Sequence, residues 1–247
     1  MVAIPFLTIA VLLSGVFLWP SNAIGQTERE VLIETFARVS KSVGALYSRG
    51  SGGDLSFLCS ATAIDRQHGR IVILTANHCV RKGAAYLINF GDDNFRSLSV
   101  WQVPRYEIDP DKYPRRYNEP VTDIALFLME DTEMPIVAVS KTSEAKPGEQ
   151  VAMVGYPLGV AKISYEGIIS GYLDRPGSDE DGYLLLQIFG APGSSGSAVL
   201  SVTSGEVIGV LVKGQGGFSG LPVIFATPTS YMSNLMIVPG ALGDSDE

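Results

Sequence analysis

From Val43 onward the chain is a series of short apolar runs, rich in β-branched and aromatic residues and broken by turn clusters. Runs of this kind predict strands. Six precede Met129: Val43–Tyr47, Leu55–Ile64, Arg70–Thr75, Tyr86–Phe90, Leu98–Val103 and Ile124–Leu128. Six follow Pro147: Gln150–Gly155, Ile163–Leu173, Tyr183–Ile188, Ser197–Val202, Val207–Lys213 and Val223–Ala226. Residues 130–148, with two prolines and mixed charge, read as the connection between an N-terminal half (43–129) and a C-terminal half (149–239). Asp65-Arg-Gln-His-Gly69 reads as an exposed hairpin turn. Residues 24–42 follow another period. Thr27-Glu-Arg-Glu30 is a capping-box pattern, and Leu32, Phe36, Val39 and Val43 fall near helical spacing behind it. A short helix starting at Thr27 is expected there, packed on the first half. Pro228 to Met236 suggests a short closing helix, and residues 240–247 a disordered tail.

Met1 to Ala23 carries no charged residue and contains the apolar run Ile4–Leu13, with small residues at Ser21-Asn-Ala23. It reads as an export signal. The apolar stretch lacks an initial Lys or Arg and continues to Trp19, so a membrane anchor formed by residues 1–20 is the alternative. Lys+Arg 18 against Asp+Glu 26 leaves a net charge of -8, which argues against a nucleic-acid partner. The length of 247 residues admits one large β domain or two small ones.

The stretch with the most chemical content is Gly190-Ala-Pro-Gly-Ser-Ser-Gly-Ser-Ala-Val199. A serine between glycines can sit in a tight bend that a substrate carbonyl can approach. In such a bend the amides of Gly193 and Ser195 can converge on one point, as an oxyanion hole requires. An ordinary turn has the same composition. Leu74-Thr-Ala-Asn-His-Cys79 places His78 after the apolar run Ile71–Leu74, and Thr122-Asp-Ile-Ala-Leu126 places Asp123 before another. A serine hydroxyl needs a base, and the base needs an orienting carboxylate. Asp92, Asp93, Asp109 and Asp111 compete for that role, but none is followed at once by an apolar strand.

Together these three stretches resemble the signatures of the chymotrypsin-like serine proteases, in the family's order His, Asp, Ser, over about Val43 to Asn234. The resemblance implies an all-β fold of two six-stranded antiparallel β-barrels with the site in the cleft between them. It implies His78 as base, Asp123 as its orienting group, Ser195 as nucleophile, and no metal or cofactor. Cys59 and Cys79 resemble the disulfide that many members carry beside the histidine, and export favours it; two buried thiols are the alternative. A zinc site is not expected, because His68 lies in the hairpin turn.

Ser194 stands where trypsin-type members carry an aspartate, and no Ile-Val-Gly-Gly-like start occurs. Pro192-Gly-Ser-Ser-Gly-Ser197, Gly155-Tyr-Pro-Leu-Gly159, Gly205-Glu-Val-Ile-Gly209 and Phe225-Ala-Thr-Pro228 look instead like bacterial glutamyl endopeptidases and high-temperature-requirement proteases. The segment after Asn234 is too short for a PDZ domain, so the second group is matched in its protease part. By the same resemblance the substrate pocket would be walled by Phe189, Val212, Lys213, Gly214 and Ala226, with Phe189 shortening it. With no acidic residue at its base and no histidine free for its wall, the pocket points to small or medium apolar side chains. The expected function is an exported serine endopeptidase acting on protein or peptide. A catalytically silent homologue binding a protein through the same cleft is the alternative, and an esterase is a lesser one.

Overall fold

The computed structural model describes residues 21–81, 83–102, 123–130, 133–140, 145–173, 182–216 and 222–232. The sequence-predicted export segment and disordered tail lie outside these residues, apart from Ser21 to Ala23. Twelve strands form: β1 (Val43–Arg49), β2 (Leu55–Gln67), β3 (Arg70–Thr75), β4 (Ala85–Asn89), β5 (Arg96–Gln102), β6 (Ala125–Met129), β7 (Gln150–Gly155), β8 (Ile163–Leu173), β9 (Tyr183–Gln187), β10 (Ala198–Ser201), β11 (Val207–Gly216) and β12 (Pro222–Pro228). They close into two antiparallel barrels, in the orders β1-β2-β3-β6-β5-β4 and β10-β11-β12-β9-β8-β7. Every strand expected from the apolar pattern is present, with ends moved by a few residues.

β3 and β6 are buried at nearly every position, covered on both faces. That is why they read as continuous apolar runs rather than as alternating ones. The β2–β3 hairpin turns at His68 and Gly69, whose φ angles of 52° and 76° are the pair of positive values a two-residue type I′ turn needs. The larger core cluster is not confined to one barrel: Leu46, Ile73 and Phe127 of the first share it with Val154, Leu200 and Val210 of the second. Val151, Met153, Ile169 and Leu186 form a separate core inside the second barrel.

The helix α1 runs from Ser21 to Ser40. It therefore passes through Thr27 without starting there, and the capping-box pattern is not used as a cap. Thr35 and Val39 are buried and Phe36 packs against the core, so the expected stripe does face inward. It packs differently from expectation, against β7 of the second barrel. Arg38 explains part of this, since its guanidinium donates to Gly205 O at 3.0 Å in the β10–β11 turn. Lys162 ties the helix end down from the other side, donating to Ser40 O (2.6 Å) and Phe90 O (2.8 Å) beneath the Tyr156 ring. Burial lowers the pKa of that ammonium. Of the expected closing helix, the described residues form a 3-10 turn, Thr229–Met232, and positions 233–236 lie outside the described residues.

The barrels meet along β2. Ser60 N–H donates to Ser195 O at 2.9 Å, and Tyr156 N–H donates to Ser60 Oγ at 2.8 Å. Cys59, next to Ser60, is bridged to Cys79 with their Cα atoms 6.3 Å apart. A closed loop of this size is worth about 3 kcal/mol by chain entropy. Reduction, or paired Cys59→Ala and Cys79→Ala replacement, is expected to lower the stability by about that amount in urea unfolding.

Close packing at the seam also fixes Gly155. A Cβ there would lie 2.2 Å from Ser197 Oγ and 3.1 Å from Ser60 Oγ. Ser197 Oγ is itself buried without a partner, so its removal forfeits no hydrogen bond. Gly155→Ala is expected to cost roughly 1–3 kcal/mol by overpacking. Adding Ser197→Gly is expected to recover most of that loss, as a double-mutant cycle by chemical denaturation will read.

Candidate active site

β3 carries the chain to Thr75, and one 3-10 turn, Asn77–Cys79, then presents His78 at the surface while Cys79 stays buried. Asp123 lies two residues before β6, followed by Ile124, which is fully buried. The two loops are bound together by Asp123. Its Oδ1 accepts the His78 amide N–H at 2.8 Å and its Oδ2 lies 2.6 Å from His78 Nδ1. Its main-chain carbonyl accepts the Asn77 N–H at 3.2 Å. A carboxylate only accepts, so Nδ1 carries a proton, and in the neutral ring Nε2 keeps a lone pair. The Asp123 side chain is 17% exposed and that of His78 46%, an anion held inside and a ring edge left open.

Ser195 sits in a turn whose carbonyls are taken up by the protein. Ala191 O accepts from Ser194 N–H (2.9 Å), Pro192 O from Leu158 N–H (2.6 Å), Ser194 O from Ser197 N–H (3.1 Å) and Ser195 O from Ser60 N–H (2.9 Å). Ser60 Oγ donates to Gly193 O at 2.8 Å. Among the described residues, no acceptor takes the amides of Gly193 and Ser195. Gly193 and Gly196 have φ of 91° and 82°, which only glycine adopts cheaply. A Cβ on Gly196 would also lie 2.1 Å from Ser60 O, 2.3 Å from Thr75 Oγ1 and 3.1 Å from Ala76 N. Gly196 is therefore packed on the segment that leads into His78, which brings Ser195 to the histidine side of the seam. Ser194 is buried, with its Oγ 3.3 Å from the Ala191 amide that donates to it.

Beside Ser195 opens a cavity of about 300 Å³. Val212, Lys213 and Gly214 line it, with Gly190–Pro192, Leu211 and Ile224. Phe189 and Ala226 lie off this lining. Phe189 is exposed and stacks on Tyr165 at 5.0 Å, and Ala226 is buried between its strand partners Leu184 and Leu211. The side chain between the cavity walls is Ile224, whose Cδ1 would be 2.8 Å from a Cβ on Gly190 and 3.2 Å from one on Gly214.

Of the competing aspartates, Asp92 is engaged by Arg96 at 2.8 Å, and that hydrogen bond holds its pKa down at about 2. Asp109 and Asp111 lie outside the described residues. His78 Nδ1 or Nε2 and the two cysteine sulfurs do cluster within 4.8 Å, but sulfurs joined in a disulfide offer no thiolate to a metal. Sequence reading passed over Ser60, Leu158 and Ile224. Each is an ordinary strand or turn residue by pattern, and its place follows from partners distant in the chain.

The trypsin-like peptidase domain model matches residues 59–210. A probable periplasmic serine endoprotease DegP-like from Marinomonas sp. is 31% identical over 122 residues, covering 48% of this chain and 25% of its own. The putative serine protease HhoB of Synechocystis sp. is 32% identical over 121 residues, covering 47% and 28%. The chain thus spans about a quarter of the length of these relatives. Among solved structures, the HtrA-type protease AlgW with decapeptide superposes with a TM-score of 0.63 at 20% identity, over 83% of this chain and 66% of the other. A serine endoprotease from Yersinia pestis gives 0.62 at 18%, over 83% and 65%. These two likenesses concern the fold. By the domain match, which includes His78, Asp123 and Ser195, the chain belongs to the trypsin-like peptidase domain family.

Proposed function

We propose that this chain is an exported serine endopeptidase that cleaves protein or peptide substrates through an acyl-enzyme. The observation that carries the reading is the double grip of Asp123 on His78, through its amide at 2.8 Å and its ring nitrogen at 2.6 Å. Such a grip sets the ring's orientation and tautomer together, which a surface histidine has no need of. Export is supported by the apolar N-terminal segment, the disulfide and the word periplasmic in the names of several relatives. No helix among the described residues is long and apolar enough to cross a membrane.

In the reaction, Ser195 Oγ bonds to the scissile carbonyl carbon as its proton passes to His78 Nε2. The resulting imidazolium is stabilised by Asp123. The carbonyl oxygen becomes an oxyanion held by the amides of Gly193 and Ser195, each worth roughly 3–4 kcal/mol in comparable sites. Collapse breaks the C–N bond, and the proton on Nε2 goes to the leaving amine. Water then repeats the sequence on the acyl-enzyme, restoring Ser195 and releasing the carboxylate. No step calls for a metal or cofactor.

The cavity beside Ser195 would hold the side chain preceding the cut. Apart from Lys213 its lining is mostly apolar or small, and with Ile224 between Gly190 and Gly214 it suits small or medium apolar groups.

The purified chain is expected to be labelled by a fluorophosphonate probe, and Ser195→Ala to abolish that labelling without loss of folding. A folded, disulfide-bonded protein that takes no label would turn the reading toward the non-catalytic one. A peptide library is expected to show small or medium apolar residues before the cut. Ile224→Ala is expected to shift that preference toward larger apolar residues by roughly tenfold in kcat/KM ratio, the usual size of such pocket effects. A profile led by Arg, Lys or Glu would contradict the assigned pocket.

A further inference from the structure

Peptide geometry makes an oxyanion hole depend on where carbonyls go. In a trans peptide the N–H of one residue and the carbonyl of the residue before it point in opposite directions. The Gly193 and Ser195 amides can therefore face a cleft only with Pro192 O and Ser194 O held on the far side, as the Leu158 and Ser197 amides hold them. Four of the five carbonyls from Ala191 to Ser195 are held by main-chain amides. The fifth, Gly193 O, is held by a side chain, the hydroxyl of Ser60, 133 positions away in the other barrel. It belongs to the most permissive residue of the turn, a glycine at φ 91°.

The Ser60 hydroxyl has its direction set by a second bond. Tyr156 N–H donates to Ser60 Oγ at 2.8 Å, which occupies a lone pair and leaves the hydroxyl proton for Gly193 O. Ser60 is fully buried, so no solvent competes for either bond. Its own amide holds Ser195 O and its own carbonyl accepts from Thr75 Oγ1 at 2.8 Å. One residue thus fixes the Gly193–Ser194 peptide, which joins the two peptides that carry the proposed hole amides, and the Ser195 carbonyl that follows them.

We infer that Ser60 is a positioning residue for the oxyanion hole, its hydroxyl fixing the Gly193–Ser194 peptide that joins the two amide-bearing peptides. The inference rests on the endopeptidase reading and adds to it a residue that touches no substrate atom. Without the hydroxyl, the Gly193–Ser194 peptide keeps only its Ser194 N–H bond to Ala191 O, and the Gly193 and Ser195 amides on either side of it lose their common alignment.

The test compares the full chain with Ser60→Ala, using the fluorophosphonate probe, a cleavable peptide and a peptide aldehyde that forms a tetrahedral adduct. Unlabelled wild type would defeat the endopeptidase reading itself, independently of Ser60. With wild type labelled, folded Ser60→Ala is expected to lose roughly tenfold or more in kcat, the lower edge of what one misplaced hole donor costs, with KM little changed. Aldehyde affinity is expected to fall in parallel with kcat, while binding of the cleaved product peptide stays the same. A purely structural role would lower the melting temperature and leave these ratios alone, and that outcome overturns the inference. Should Ser60→Ala not fold, the wild-type aldehyde adduct decides by crystallography. Gly193 O resting on Ser60 Oγ in the adduct supports the role, and a Gly193 carbonyl that has left Ser60 excludes it.

Discussion

A peptide group cannot present its amide without placing its carbonyl elsewhere, and the turn around Ser195 is built on that constraint. The carbonyls of residues 191 to 195 each find a donor in the protein, from Ser194, Leu158, Ser60, Ser197 and Ser60 in turn. The amides of Gly193 and Ser195 are left without an acceptor among the described residues. A single neutral hydrogen bond contributes only about 1 kcal/mol net, yet leaving a buried carbonyl unpaired costs about 1–3 kcal/mol. The turn is held in one orientation because every alternative orphans at least one of these groups.

Those donors come from both barrels, so the site does not exist in either alone. Ser60 belongs to β2 of the first barrel, and Leu158 follows β7 of the second. His78 and Asp123 leave the ends of β3 and β6, adjacent strands paired from Ile71–Met129 to Thr75–Ala125. Their proximity is set by that register, and the Cys59–Cys79 bridge ties the histidine turn to the strand that holds Ser195 O. The shared core of Leu46, Phe127, Val154 and Leu200 makes the seam as dry as a domain interior. Glycines stand at 155, 193 and 196 because side-chain or main-chain atoms already fill the space a Cβ would need.

Much of this was legible in the chain. Short apolar runs gave all twelve strands, since strand burial leaves a direct mark on residue choice, and the His68-Gly69 turn announced itself by composition. The motifs around His78, Asp123 and Ser195 pointed to a shared chemistry, and the structure joins His78 to Asp123. Other features lacked a local mark. Thr27 satisfies a capping pattern that also fits inside a helix, and the helix simply continues past it. Its docking partner depended on Arg38 finding Gly205, a contact 167 positions apart. The family resemblance places Phe189 in the pocket wall, but Tyr165 on β8 offers it a ring to stack on. Ile224 and Ser60 look like any other strand residues, because what distinguishes them is the neighbour across the barrel.

The residue at 194 shows how the same constraint can be met by different chemistry. Trypsin-type members carry an aspartate there, a charge that needs a partner wherever it is buried. Here the residue is a buried serine whose amide and hydroxyl close the turn onto Ala191. A buried ion pair must overcome the desolvation of two charges before it stabilises anything, so its net contribution depends on excellent geometry. Neutral donors carry a far smaller desolvation cost, and the five around this turn can each be modest and still act together. The five donors given above to carbonyls 191 to 195 are four main-chain amides and one hydroxyl, all neutral. The orientation of the turn is therefore a property of how the two barrels close on each other through neutral donors.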